Sequence, residues 1–183
     1  MTARSFDPFR LDLDAFATDA ATLDGQWPLR QLRRVAEATI AGAEPDVVDE
    51  LVWHARGERR KTRGGDGQVW LQLHVTTRLA LECQRCLKPV TVPIEVDRSF
   101  LFVAGEDAAA QLDAESDDDV LALSRAYDLR DLIEDEVLLA LPLVPRHESC
   151  PEPLQVSPED LLEEPEPSPF AALAALKRGG ALN

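Results

Sequence analysis

The sequence has little of what would place it in a membrane or outside the cell. Its 183 residues contain no apolar run approaching the roughly 18 residues that a membrane-spanning helix needs. The first residues, MTARSFD, lack the apolar core of a secretory signal. There are only three cysteines, and two of them form Cys83-x-x-Cys86, a spacing that in a reducing compartment indicates metal or redox chemistry before disulfides. We therefore expect a cytoplasmic protein with reduced thiols and no membrane contact.

Basic residues are scarce where the chain is most acidic. Residues 106–166 hold 19 Asp and Glu against three Arg, whereas the rest of the chain is near balance. Nucleic-acid-binding proteins usually carry a basic surface, so direct RNA binding by the whole chain is disfavoured. One short basic cluster is the exception and is interpreted as a solvated hairpin loop, with a phosphate-contacting patch as the alternative: Arg56, Arg59, Arg60, Lys61 and Arg63.

Aromatic residues make up only 5% of the chain, and three of them are tryptophans. We predict that Trp27, Trp53 and Trp70 lie in the core or cover the sheet. The alternative, a platform on which nucleic-acid bases stack, normally comes with a positively charged groove. The sequence also lacks a nucleophile paired with a base, and its acids lie in a linker and on a helix face instead of beside a basic cleft. We expect that the protein is not an enzyme and binds no small-molecule substrate.

Alternation of apolar and polar residues predicts three long strands. They cover residues 47–56, 68–82 and 90–103, and they form an antiparallel meander. The second and third strands are joined by Cys83 to Pro89, which places both thiols at a hairpin tip, as in a zinc knuckle. A short fourth strand is predicted at 120–123.

Helix signals flank this meander. Asp14 is expected to cap a short helix through Ala21, and residues 23–27 to form a turn. A docking helix is predicted over 29–41 and another, capped by Asp128, over 129–141. Residues 104–119 are expected to be a mobile acidic connection.

The predicted fold class is α+β. One domain covers residues 1–150 and consists of the meander flanked by N-terminal and C-terminal helices. An acidic, proline-rich linker follows over 151–167, and a short amphipathic helix over 168–183.

Two groups of residues are candidates for binding a partner. On the predicted helix 129–141, the charged side carries Asp131, Glu134 and Asp135, which form either a solvated face or a partner-binding face. In the terminal helix one apolar stripe is formed by Phe170, Leu173 and Leu176. A helix this short is marginal alone in water, so it needs a surface on its own domain or on a partner.

Three stretches of the sequence resemble the bacterial YceD family, whose members are called large ribosomal RNA subunit accumulation proteins. They are ECQRCLKP at 82–89, DLRDLIEDEVLLALPLVPRH at 128–147 and PFAALAALK at 169–177. The resemblance implies a role in the synthesis, processing or stability of 23S ribosomal RNA, in a small cytoplasmic protein with no assigned catalytic activity.

The cysteines allow two main interpretations. Cys83-x-x-Cys86 and His147-x-x-Cys150 together supply the three sulfurs and one nitrogen of a structural zinc site. The alternative is a structural cysteine cluster without metal, because the two pairs lie about 60 residues apart. A redox C-x-x-C is less favoured, since no βαβ unit surrounds it.

Together with the role that the YceD resemblance implies, these observations predict a non-enzymatic ribosome-biogenesis factor. It would work through a protein partner, such as a basic ribosomal protein, and reach ribosomal RNA indirectly. The first alternative is a direct RNA-binding module that uses the basic loop 56–63. The second is a zinc-binding adaptor unrelated to ribosomal RNA.

Overall fold

The computed structural model describes residues 4–40, 50–61 and 67–151, which build a five-stranded sheet with helices on both faces. Neighbouring strands follow the chain order β1 to β5; the first four are antiparallel, and β5 runs parallel to β4. The strands are β1 Thr22–Pro28, β2 Glu50–Arg60, β3 Gln68–Glu82, β4 Pro89–Val103 and β5 Asp119–Ala122. The predicted α+β class and antiparallel meander are confirmed, and the short strand predicted at 120–123 is β5. The edge strand β1 was not predicted.

The helices divide between the two faces of the sheet. The elements are α1 Leu13–Thr18, a 3-10 turn Leu29–Gln31, α2 Arg33–Ala38, α3 Glu106–Glu115 and α4 Leu129–Leu139. Helices α1, α2 and α4 cover what we call the inner face, and α3 covers one corner of the outer face. No helix in the described part of the chain is long and apolar enough to cross a membrane.

The inner face carries the main core. Along β3, Leu71, Leu73 and Val75 are almost completely buried and alternate with more exposed polar residues. They pack in one cluster with Phe16 of α1 and Ile133 of α4. Because burying one such side chain is worth about 1.5–3 kcal/mol, this alternation fixes which face of β3 meets the helices.

All three tryptophans are buried, as predicted. On the inner face, the rings of Trp27 and Trp53 lie 4.7 Å apart between centroids. Gly25 is the register partner of Trp53, and a Cβ there would lie 2.8 Å from the indole, so the ring needs a glycine beneath it. On the outer face, Trp70 packs under α3, and the guanidinium carbon of Arg60 lies 4.0 Å from its ring centroid.

The predicted turn at 23–27 is wrong, because these residues belong to β1. The pair Asp24-Gly25 is typical of a turn, but Gly25 lies within the strand, where it leaves room for the indole of Trp53. The predicted cap of the first helix is also wrong. Asp12 caps α1 by accepting a hydrogen bond from the N–H of Ala15, and Asp14 lies inside the helix.

The single helix predicted over 29–41 is divided in the structure. Leu32 separates the 3-10 turn from α2 with a φ of −101° and a ψ of 83°, and its side chain is completely buried. Drawing this side chain into the core takes its backbone out of the helical region. Residues 41–49, where we predicted the end of this helix and the start of the first long strand, lie outside the described residues.

The mobile acidic connection predicted over 104–119 is wrong in part, because Glu106–Glu115 form α3. The helix is fixed by tertiary packing, since Ala109 is buried and Leu112 is partly buried against the cluster around Trp70. The helix also supplies the crossover that a parallel pair such as β4 and β5 requires.

Candidate functional site

The hairpin tip between β3 and β4 holds the first two cysteines. The N–H of Cys83 donates to the carbonyl of Lys88 at 2.9 Å, and the N–H of Leu87 donates to the carbonyl of Cys83 at 2.8 Å. Leu87 adopts a φ of +58°, the left-handed conformation that a tight reversal demands. Both thiols, Cys83 and Cys86, are buried at the tip.

A second segment, which follows α4, meets this tip. The N–H of Gln84 donates to the carbonyl of Pro145 at 2.9 Å, which fixes the segment against the hairpin. The Sγ atoms of Cys83 and Cys150 are 3.9 Å apart, and Cys86 Sγ lies 3.4 Å from His147 Nδ1. The four ligand atoms all lie within 4.8 Å of one another. The structure thus brings together all four residues that the sequence marked as metal ligands.

His147 is oriented by its other ring nitrogen. Nε2 lies 2.9 Å from the carbonyl oxygen of Pro89. A carbonyl oxygen only accepts, so Nε2 carries the hydrogen and Nδ1 presents its lone pair to Cys86. This arrangement is typical of metal-binding histidines, whose second nitrogen donates to a carbonyl or carboxylate.

The cysteines differ in acidity. Burial by itself would raise the pKa of Cys83, but backbone N–H groups of Arg85, His147 and Cys86 hydrogen-bond its sulfur and lower the pKa to about 5. Burial raises the pKa of Cys150 to about 11, and the neighbouring sulfurs of Cys86 and Cys83 add to the effect. The cluster therefore contains one sulfur that is held as a thiolate beside one that keeps its proton.

Only two of the three acids on the predicted acidic face of α4 are accessible to solvent. Asp131 is exposed, and Asp135 pairs with Arg34 of α2 while remaining half-exposed. Glu134 corrects the prediction, because it is only 7% exposed. Its Oε1 accepts from the N–H groups of Arg34 at 2.6 Å and Val35 at 3.2 Å, and its Oε2 accepts from Arg34 Nε at 3.1 Å. Glu134 therefore serves the fold and is not free to bind a partner.

An acidic groove, which sequence reasoning missed, lies between β5 and α4. It has a volume of about 450 Å³. Its acidic lining residues are Asp113, Asp119, Asp135 and Glu136, and its apolar ones include Leu121, Leu138 and Leu139. The acids come from three separate elements, so no single stretch of sequence identified them as a group.

The pKa values of two groups that line this groove are raised, in both cases mainly by burial. Burial, followed by the nearby Asp135, Asp131, Glu136 and Asp128, raises the pKa of Tyr127 to about 12. Burial also raises the pKa of Glu136, and Asp119 and Asp135 act in the same direction against the opposing charge of Arg98. A bound cation would relieve this repulsion.

Apolar side chains are exposed next to the acidic groove. Leu139, at the end of α4, is 75% exposed, and it is followed by Leu143 at 100% and Val144 at 54%. We call these three residues the apolar patch. Exposed apolar residues of this size that lie close together are typical of interaction surfaces. The signal in the sequence was the continuation of apolar residues past the end of the helix, between Pro142 and Pro145.

The basic cluster predicted as a hairpin loop is wrong in part, because Arg56, Arg59 and Arg60 lie in β2. Arg59 pairs with Asp14 and donates to Thr18 Oγ1 at 3.2 Å. Arg60 pairs with Glu58 at 3.2 Å and lies over Trp70. Arg63, together with Phe170, Leu173 and Leu176 of the predicted terminal helix, lies outside the described residues.

Comparison with known proteins gives two findings. The family model described as large ribosomal RNA subunit accumulation protein YceD matches residues 71–177, which include the hairpin tip and α4. A curated relative of the same description, from Haemophilus influenzae, is 32% identical over 161 residues, which is 84% of this chain and 86% of the relative. No solved structure matches the chain.

Proposed function

The chain belongs to the YceD family of large ribosomal RNA subunit accumulation proteins, and from that membership we propose that it promotes accumulation of 23S ribosomal RNA in the cytoplasm. It does so without catalysis, by binding a basic protein of the large ribosomal subunit or of its maturation machinery. Its contact with ribosomal RNA is indirect.

One observation carries the proposal of a protein partner: the acidic groove and the apolar patch share Leu139. A partner segment with Lys or Arg beside apolar side chains would satisfy both. Its cations would add to the ion pairs that Arg98 and Arg34 already make with Asp119 and Asp135. Its apolar side chains would cover Leu143 and Val144. Ribosomal RNA carries negative charge and would be repelled by the same surface.

The positions of the titratable groups support a non-enzymatic function. Within residues 4–40, 50–61 and 67–151, the ligand atoms of three or more His, Cys, Asp or Glu residues converge at the hairpin tip. There, four potential ligands face one another and leave no open position for a substrate. The acids of the groove face a concave surface without a nucleophile or a histidine among its lining residues.

Direct RNA binding by the basic loop 56–63 is the second candidate function. Arg56 and Lys61 are exposed, which favours it. Arg59 and Arg60, however, would have to exchange their contacts with Asp14 and Glu58 for contacts with phosphate. We therefore place this function second. The family membership argues against the hypothesis of a zinc-binding adaptor unrelated to ribosomal RNA.

The terminal segment 168–183 is proposed as a second contact with the partner. Phe170, Leu173 and Leu176 would form the apolar stripe of a helix that binds in a groove of the partner. Burying three such side chains is worth roughly 5–8 kcal/mol before the cost of ordering the helix, which leaves a reversible contact.

Complementation tests the proposal. Cells that lack their own family member would receive the wild-type chain, the double variant Leu139→Ser/Leu143→Ser, or the control Val52→Ser. Val52 is an exposed apolar residue on the outer face of β2, away from the groove. We expect the wild type and the control to restore the ratio of 23S to 16S ribosomal RNA and the double variant to fail, with unchanged melting temperatures.

A binding assay separates the two candidate functions. The purified chain would be tested against RNA-free proteins of the large subunit and against protein-free 23S ribosomal RNA at two salt concentrations. Retention of a basic protein by the wild type but not by the double variant supports the proposal. Binding to RNA alone, with an affinity that falls steeply with salt and is lost in Arg56→Gln/Lys61→Gln, would establish the second candidate instead.

A further inference from the structure

We propose that Cys83, Cys86, His147 and Cys150 bind one zinc ion. Three sulfurs and one imidazole nitrogen are a common ligand set of structural zinc sites, and soft thiolates select zinc over the harder divalent cations. Two ligands come from the hairpin tip and two from the segment after α4, and the ligand atoms converge to within 4.8 Å.

The distances fit tetrahedral coordination. With Zn–S near 2.3 Å and Zn–N near 2.0 Å, a tetrahedron has edges of about 3.8 Å between sulfurs and about 3.5 Å between sulfur and nitrogen. The observed separations are 3.9 Å for Cys83 Sγ to Cys150 Sγ and 3.4 Å for Cys86 Sγ to His147 Nδ1. The four ligand atoms lie within 4.8 Å of one another. A shift of about 1 Å at most would therefore bring them to tetrahedral distances.

The groups around the ligands also suit a metal. Pro89 O fixes the tautomer of His147 so that Nδ1 has a free lone pair. The N–H of Gln84 in the knuckle donates to the carbonyl of Pro145 at 2.9 Å, which holds the segment with His147 and Cys150 beside the knuckle. These contacts orient one ligand and hold the two pairs of ligands next to each other.

The ion would hold the segment that carries the apolar patch. Between the end of α4 and Pro151 the chain has no helix or strand, and the Gln84-to-Pro145 hydrogen bond is one of few contacts that fix it. Zinc would join this segment to the sheet through two more residues. The link from the metal to partner binding rests on the proposed function, whereas metal binding itself does not.

Metal content and coordination test the proposal directly. Purified, reduced wild-type protein should contain about one equivalent of zinc per chain by elemental mass spectrometry. Protein refolded with Co²⁺ should show the intense visible absorption of a tetrahedral cobalt–thiolate site. These measurements use the intact chain and need no activity, so they stand or fall separately from the proposed function.

Variants locate the site. Cys150→Ser and His147→Gln change residues of an irregular, partly exposed segment, which leaves the sheet intact. Loss of groups that merely orient ligands weakens metal binding about 10–100-fold, so loss of a ligand should weaken it by about tenfold or more in chelator competition. The control His74→Gln changes an exposed histidine of β3 and should retain wild-type affinity.

Three results would overturn the proposal. The first is reduced wild-type protein that stays metal-free after refolding with excess zinc. The second is cobalt absorption that survives in Cys150→Ser and His147→Gln unchanged. The third is a Cys83–Cys150 disulfide in protein from reducing cells, seen as a mass lower by two hydrogens and one titratable thiol, which would make the cluster a redox pair.

Discussion

Replacing Glu134 by alanine should destabilise the protein although no catalytic or metal-binding group is touched. Helix α2 begins at Arg33, and its N-cap residue Leu32 has no side-chain acceptor that could cap it. Its first free N–H groups, those of Arg34 and Val35, are instead satisfied by the carboxylate of Glu134 from α4, about 100 residues away in sequence. The cap of one helix is thus supplied by another.

The expected size of the effect follows from these contacts. A lost helix cap costs about 0.5–2 kcal/mol, and a hydrogen bond to a charged group contributes about 1.5–3 kcal/mol. Glu134 is nearly inaccessible to water, so the N–H groups of Arg34 and Val35 would lose a partner that solvent replaces poorly. We expect Glu134→Ala to lower the free energy of unfolding by about 2–4 kcal/mol. Glu134→Gln keeps one acceptor oxygen and should cost about 1 kcal/mol.

Urea unfolding followed by circular dichroism measures this difference, from the shift in midpoint at constant slope. The matched control is Asp131→Ala, an exposed acid one turn earlier on α4, which should stay within about 0.5 kcal/mol of wild type. If Glu134→Ala were as stable as Asp131→Ala, the capping argument would be refuted. A charge-reversal test of the partner surface should accordingly leave Glu134 unchanged.

Two further predictions concern pH and the terminal segment. Burial raises the pKa of Glu136 above its ordinary 4.5, so its ionised form destabilises the folded state above that raised pKa, and the penalty vanishes below 4.5. Glu136→Gln should therefore raise the urea midpoint at pH 7 but not at pH 4, and an equal gain at both would contradict the assignment. Deleting residues 168–183 should leave the melting temperature unchanged while impairing 23S ribosomal RNA accumulation; a drop of many degrees would show that this segment packs on its own domain.

Local patterns were sufficient for the longest elements. The alternation in β3 and β4 extends over many residues, and the inward positions are apolar except at Thr77 and Arg98, so the period of two was unambiguous. Asp128 was correctly predicted to cap α4, because a short acidic side chain precedes a run with helical spacing. The local sequence is therefore enough to identify these elements, without information from distant residues.

The elements that sequence reasoning missed depend on contacts from elsewhere in the chain. Helix α3 was predicted as a loop because of its acidity, although its alanines favour a helix. Its buried face packs in the cluster around Trp70. Strand β1 contains Asp24 and Gly25, a turn-like pair whose glycine in fact accommodates Trp53. The burial of Glu134 depends on a helix end 100 residues earlier, which no local pattern reveals.

The site shows the same division between local and distant information. Cys-x-x-Cys predicted a knuckle because its geometry is local. That His147 and Cys150 meet it depends on the path of β4, α3, β5 and α4 together. The acidic groove was missed because its acids belong to separate elements, and the apolar patch because nothing in the sequence shows whether Leu143 and Val144 are covered.

The placement of the tryptophans gives the protein separate optical reporters for the two faces of its sheet. Trp27 and Trp53 are close enough for their indole transitions to couple, so near-ultraviolet circular dichroism will follow the docking of β1 on β2. Within the described residues Trp53 Nε1 has no hydrogen-bond partner, which favours emission at short wavelength. Trp70 lies beneath α3 and beside Arg60, so its emission follows the detachment of that helix. A stopped-flow experiment could therefore time the assembly of each face without adding a dye.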